Sequence, residues 1–258
     1  MESYLTANYH THTTRCHHAV GEDRAYVEAA IEAGIRVLGF SDHIPMPEID
    51  ERLSGIRMSY AQVEDYLDSL HRLQQEYKQE ITIYIGYEGE YFAPLFEEQI
   101  RRLRSFGYDY LILGQHFVIT DGRGVYTGAP TDSVAILKMY VDWCIEGLST
   151  GAYRYLCHPD LIYFTGDETV WRREMTRLCR YCKEHRIPME YNLLGAMEGR
   201  QYPSERFLAL AGEMENDIII GIDAHDPGQI GNQSVYQMAQ SAVRKYKLHV
   251  QTDLPGLR

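Results

Sequence analysis

Apolar residues along this chain recur with two periods that alternate. Short segments at 5–10, 35–40, 81–86, 108–114, 153–157, 188–192 and 217–222 read as strands. Between them the apolar positions fall at helical spacing. Val27, Ala30, Ile31 and Gly34 make the first stripe, and Val63, Tyr66, Leu67, Leu70 and Tyr77 the second, which follows a loop holding Pro45 and Pro47. Ser59 with Gln62 forms a capping box ahead of that second helix. Pro94 suits the first turn of a third helix, Ile100, Leu103 and Phe106 carry its stripe, and Gly107 suits its end. A fourth, capped by Thr131 or Asp132, points Ile136, Leu137, Tyr140, Val141, Cys144 and Leu148 inward. Val170, Leu178 and Cys182 mark a fifth, residues 204–214 a sixth, and Val235, Met238, Ala239, Ala242 and Val243 the last.

These seven strand–helix units, with no long linker, predict one domain spanning residues 1–258 and a parallel sheet with helical crossovers. A closed barrel and an open doubly wound sheet both satisfy that pattern. The open dinucleotide-binding fold would place a glycine-rich phosphate loop after the first strand, and histidines stand there instead.

Composition narrows the partners more than the fold. Hydrophobic residues make up 45% of the 258 and charged residues 24%, which is ordinary globular usage. No apolar run approaches the roughly 18 residues of a membrane span, and Met1-Glu2-Ser3-Tyr4 lacks the basic and apolar regions of a signal peptide. The expectation is a cytoplasmic protein that engages no membrane. A formal charge of −12 argues against nucleic acid as a partner but admits a small phosphorylated substrate, provided metal ions or a few arginines supply local positive charge. Five cysteines are an odd number and read as reduced thiols; the Cys179/Cys182 pair lies on a helix and reads as packing.

Once the strands are placed, the candidate ligands fall into order. His10 and His12 end the first strand; His43 follows the second, Glu88 the third, His116 the fourth, His158 the fifth, and Asp223 with His225 the seventh. All lie at C-terminal ends, which in a barrel ring one mouth. An isolated HxH or loop histidine has bland explanations, and Glu90 shares a face with Glu88. Independent structural histidines, however, would not all choose the same end of successive strands. With His18 from the first loop, the set exceeds one tetrahedral site and suffices for two or three divalent ions, zinc, iron or manganese.

The segments HTH (His10–His12), RCHHA (Arg15–Ala19), FSDH (Phe40–His43), GYEGEY (Gly86–Tyr91), LGQH (Leu113–His116), CHPDLI (Cys157–Ile162), NLLG (Asn192–Gly195) and GIDAHDP (Gly221–Pro227) resemble, in order, the motifs of the PHP (polymerase and histidinol phosphatase) superfamily. The similarity runs through nearly the whole chain and is strongest to the free-standing histidinol-phosphatase branch. It implies an α/β fold, a distorted TIM-like (β/α)7 barrel with a metal cluster in its mouth. By the same resemblance His10, His12, Glu88 and Asp223 hold the first ion, Glu88 bridges to a second held by His116 and His158, and His18, His43 and His225 hold a third. The RCxHA pattern selects His18 over His17.

The resemblance implies L-histidinol phosphate as the substrate, and the cluster suits its hydrolysis by in-line attack of metal-bound hydroxide, with no phospho-enzyme. Asp223 or a neighbouring ligand assists proton transfer. Other phosphomonoesters, nucleotides and phosphotyrosyl proteins are the alternative substrates, and a structural role is the rival class. Phosphate recognition calls for guanidinium groups, and Arg200, then Arg15, then Arg57, lie in loops between a strand and the next helix. Met197 stands where relatives often carry an arginine.

Overall fold

The structure, a computed structural model, describes residues 5–46, 55–120, 123–254 and 256–257; the opening tetrapeptide and Pro47 lie outside the described residues. Strands β1 (Ala7–Asn8), β2 (Val37–His43), β3 (Thr82–Gly89) and β4 (Tyr110–Leu113) pair in parallel in chain order. The hairpin of β5 (Phe117–Thr120) and β6 (Arg123–Tyr126) follows, and β7 (Met189–Asn192), β8 (Asp217–Gly221) and β9 (His249–Gln251) form a second parallel set.

Single bridges join the two sets into a distorted TIM-like barrel. The segment predicted as a strand at 153–157 forms isolated bridges only: Leu156 pairs with Leu113 on one side and Met189 on the other. On the far side, Thr11 bridges Ala224, with His12 N donating to Ala224 O at 2.9 Å. The seam between β1 and β8 is therefore narrow at the mouth. Below it, β9 pairs with the start of β8, and Leu254 packs among Tyr9, Tyr155 and Ile219 inside the barrel.

Strand alternation separates two apolar layers. Tyr110, Ile112, Tyr155 and Cys157 face the interior, whereas Leu111, Leu113 and Leu156 pack outward against the helices. The wide interior is filled by tyrosines. Tyr110 Oη donates to Tyr9 O at 2.8 Å, and a Cβ at Gly39 would lie 2.2 Å from that hydroxyl oxygen, so the close approach requires glycine. Each fully buried large side chain contributes about 1.5–3 kcal/mol.

The helices form where the stripes place them, at Asp23–Glu32, Val63–Glu76, Ala93–Phe106, Val134–Ser149, Glu168–His185, Glu205–Glu213 and Gln233–Tyr246. The Ser59/Gln62 capping box opens a single 3-10 turn that runs into the second. Ser133, not Thr131 or Asp132, caps the fourth: its side chain accepts from Ile136 N, while Thr131 bridges to Phe164. Met238 is 52% exposed, so the last helix buries a narrower face than its stripe suggested. Cys179 and Cys182 are buried in the main core. Among the described residues no helix is long and apolar enough to cross a membrane.

Candidate metal centre

Glu88 ends the inward-facing series Tyr84, Gly86, Glu88 on β3, and His43 ends the matching series on β2, so alternation delivers both to the mouth. The Glu88 carboxylate faces two ways. Its Oε1 lies 2.8 Å from His158 Nε2 and 3.4 Å from His116 Nε2. Its Oε2 lies 3.1 Å from His43 Nδ1 and 3.5 Å from the Nε2 atoms of both His10 and His12. Asp223 closes the far side, with Oδ1 3.3 Å from His10 Nε2 and 3.1 Å from His12 Nε2. The His12 and His225 rings stack at 4.1 Å, and His18 lies 4.6 Å from His225 and 5.4 Å from His43 between centroids. Asp223 and His158 both have positive φ, 57° and 29°, backbone conformations that cost non-glycine residues about 1–3 kcal/mol each.

The other face of four of these imidazoles is tied down. His10 Nδ1 meets Glu190 Oε1 at 2.8 Å, His12 Nδ1 meets Asp42 Oδ1 at 3.4 Å, His18 Nδ1 meets Cys16 O at 2.7 Å and His225 Nδ1 meets Asp223 O at 2.9 Å. A proton on each of those Nδ1 atoms leaves Nε2 as a lone pair pointing into the cluster. The Nε2 atoms of His10, His12 and His225 are buried there with no hydrogen-bond partner. Lone pairs facing carboxylate oxygens need a cation between them, and this donor set of imidazole and carboxylate fits divalent ions.

The same negative field shows in the proton affinities. Burial lowers the His10 pKa, but the carboxylates of Asp223, Glu190 and Glu88 outweigh it and raise it to about 10. For Glu88 and Asp223 burial acts upward, and the surrounding histidines, His116 first for Glu88 and His10 first for Asp223, hold both well below the usual carboxylate range. Both are anions at neutral pH.

Comparison with known proteins accords with this geometry. The PHP domain model matches residues 8–193. The chain belongs to the PHP domain family. Within it, the chain is 27% identical over 234 residues to a probable histidinol-phosphatase of Deinococcus radiodurans, covering 86% of this chain and 87% of that protein. It is 25% identical over 252 residues to the histidinol-phosphatase of Bacillus subtilis, covering 86% and 94%. The fold superposes with a TM-score of 0.76, at 19% identity and 98% coverage of both chains, on histidinol phosphate phosphatase from Lactococcus lactis, solved with zinc, L-histidinol and phosphate.

In this PHP chain a cavity of about 380 Å³ opens onto the cluster, lined on its outer side by Phe117, Tyr126, Leu194, Glu198, Arg200 and Tyr202. Of the three expected arginines, Arg200 is the one that lines it, paired with Glu198 at 2.6 Å and with Tyr202 Oη at 2.8 Å. Arg15 turns away from it. Its guanidinium pairs with Asp23 at 2.9 Å and Asp65 at 2.7 Å and lines a separate cavity. Arg57 is buried and donates to Glu90 at 2.6 Å, which occupies the carboxylate that shared a face with Glu88. His17 is exposed and joins none of the ligand groups; His71, His185 and His249 are exposed on the outer surface.

Several residues at this centre escaped the sequence reading. Glu190 and Asp42 orient imidazoles, and Asn192 donates to Asp223 Oδ2 at 3.0 Å and to Glu190 Oε2 at 2.8 Å. Glu190 and Asn192 are inward-facing polar residues on a strand whose neighbours Met189 and Tyr191 are apolar, a signal that strand alternation offers. Cys16 is fully buried; burial acts to raise its pKa, but His12, His18 and His225 bring it down to about 3. Cys157 is the opposite case. Burial and the nearby Glu88 push its thiol up, and its Sγ donates to Leu113 O at 2.9 Å.

Proposed function

We propose that this protein is a metal-dependent phosphatase that hydrolyses L-histidinol phosphate to L-histidinol and phosphate. The observation that carries the reading is the division of Glu88: one oxygen faces His116 and His158, the other His10, His12 and His43, with Asp223 opposite. A carboxylate placed in that way suits a bridge between two divalent ions, and the His18, His43, His225 group suits a third. His10, His12, Glu88 and Asp223 would hold the first ion, and His116 and His158 the second with Glu88. Bound there, such ions would lower the pKa of a water toward neutrality and would offset charge on the phosphoryl oxygens.

The chain's own groups do the rest. Asp223, kept ionised by His10, His12 and His225, accepts the proton lost by the attacking water. As the new P–O bond forms, the ester P–O bond breaks and the departing alkoxide takes up the proton that Asp223 received. Arg200 binds phosphoryl oxygens with its two-pronged guanidinium after exchanging its pairing with Glu198. Phe117, Tyr126 and Tyr202 offer aromatic walls to an imidazole-bearing body, and Glu198 offers charge complementary to its ammonium group. The likeness to histidinol phosphatases supports that choice of ester.

The test is turnover by purified protein with defined added zinc, iron or manganese, against L-histidinol phosphate, nucleoside monophosphates and a phosphotyrosyl peptide. Preferential release of phosphate from L-histidinol phosphate is the expected result. Turnover of another ester with none of this one would overturn the substrate assignment, and metal-loaded protein inert on every ester would overturn the phosphatase itself.

A further inference from the structure

Cys16 has a position that hydrolysis of the ester does not explain. It closes the single 3-10 turn Thr14–Cys16, between His12 and His18 in sequence. Cys16 N donates to Thr13 O at 3.1 Å, and Cys16 O receives His18 Nδ1 at 2.7 Å, so the turn is fixed from both ends. The residue is 0% exposed. Its sulfur and one ring nitrogen each from His12 and His225 all lie within 4.8 Å of one another, the spread of ligand atoms around a single ion. Both histidines of this group carry a ring nitrogen left without a hydrogen-bond partner. His12 is fully buried, and its Nε2, like that of His225, lacks a hydrogen-bond partner.

We infer that Cys16 is a sulfur ligand of the ion that His225 helps to hold, a role that rests on the metal reading above. The neighbouring cysteine of the cluster serves a different purpose. Cys157 Sγ lies 2.9 Å from Leu113 O and 3.1 Å from Glu88 Oε1, so its single S–H is shared between two acceptors and the sulfur serves as a donor. Sulfur ligation has a consequence for selectivity. A site of imidazoles and carboxylate accepts zinc, iron or manganese, whereas one thiolate biases it toward softer ions, favouring zinc and cobalt over manganese and magnesium.

The probe is the metal alone, with no substrate. The whole protein, stripped with chelator and reloaded with cobalt(II), should show the near-ultraviolet sulfur-to-cobalt charge-transfer band, and zinc-loaded protein a sulfur scatterer at about 2.3 Å by X-ray absorption. Cys16→Ser should abolish both and lower the preference for zinc over manganese at one position by about tenfold or more. Cys157→Ser should retain both signals, which keeps the assignment testable even where Cys16→Ser folds poorly. Loaded protein with only nitrogen and oxygen neighbours, or a sulfur signal that Cys157→Ser removes, would overturn the role of Cys16 while leaving the phosphatase reading intact. Failure to take up any cobalt or zinc would overturn both.

Discussion

His10 Nδ1 lies 2.8 Å from Glu190 Oε1, a contact across the barrel between the first strand segment and β7. The other Glu190 oxygen accepts from His158 N at 2.9 Å and Asn192 Nδ2 at 2.8 Å, so one buried carboxylate orients groups from three parts of the centre. Glu190→Gln removes the charge that fixes the His10 tautomer and keeps the volume. Metal affinity should fall about 10–100-fold, with activity recovered at higher metal concentration. Titration of chelator-stripped protein with zinc measures it; unchanged affinity would show that Glu190 is packing only.

Gly114 follows β4 where the chain passes close to the Glu88 carboxylate. A Cβ there would lie 1.9 Å from Glu88 Oε1 and 2.9 Å from Cys157 Sγ. Gly114→Ala must therefore displace Glu88, because the surroundings are buried and closely packed. The expected outcome is folded protein that has lost the Oε1 side of the proposed bridge. Elemental analysis should find at least one fewer ion per chain than wild type, with turnover lost in proportion.

The ring of candidate ligands was legible because a strand's C-terminal end leaves a local mark: an apolar run, then a polar residue able to bind metal. His43, Glu88, His116 and His158 all carry it. Residues that act through another residue leave a weaker mark. Asp42 and Glu190 are ordinary polar letters until their oxygens are placed beside His12 and His10. The arginines show the limit most clearly. Arg15 and Arg200 sit in equivalent loops, and only the positions of Asp23 and Asp65 on two other helices reveal that the first is already paired. The barrel's uneven closure was also hidden. The segment at 153–157 has a strand's composition, yet forms isolated bridges alone, and β9 follows the last helix with too short a run to register as a pattern.

Arg200 and Arg15 should separate substrate binding from stability. Arg200→Ala removes the guanidinium from the cavity and should raise KM by about 10–100-fold, equivalent to about 1.4–2.8 kcal/mol. Arg15→Ala leaves the buried Asp23 carboxylate with fewer partners and should cost about 1–3 kcal/mol of folding free energy with KM little changed. Steady-state kinetics and denaturant unfolding on both variants check this. A KM effect confined to Arg15→Ala would reverse the assignment.

Asp160 anchors the loop that carries Arg200 and Tyr202. Its Oδ2 accepts from Ser204 N at 2.6 Å, and Gln201 Nε2 reaches back to Leu161 O at 2.9 Å. Asp160→Ala frees the loop without touching the cavity wall and leaves the Ser204 amide without that acceptor. KM should rise by about fivefold, near 1 kcal/mol, while zinc affinity stays at the wild-type value. Parallel kinetics and zinc titration distinguish this from damage to the ligands; loss of zinc affinity would count against it.

The proton on His10 gives the metal-free protein a pH dependence of definite sign. The folded value is raised to about 10 from the ordinary 6.5, because the pull of Asp223, Glu190 and Glu88 exceeds the cost of burial. A raised folded pKa contributes stability that is fully present below 6.5 and is lost as pH climbs through about 10. Chelator-stripped protein should therefore melt at progressively lower temperature across that interval. Metal competes for the same nitrogen, so its apparent affinity should rise over the same range as the proton leaves. The loaded protein gains relative to the stripped one, and the gap between their melting temperatures should widen with pH. Thermal melts of both forms in matched buffers measure the gap. A stripped protein whose Tm stays flat or rises from pH 6.5 to 10 would mean that His10 is neutral in the folded, metal-free cluster.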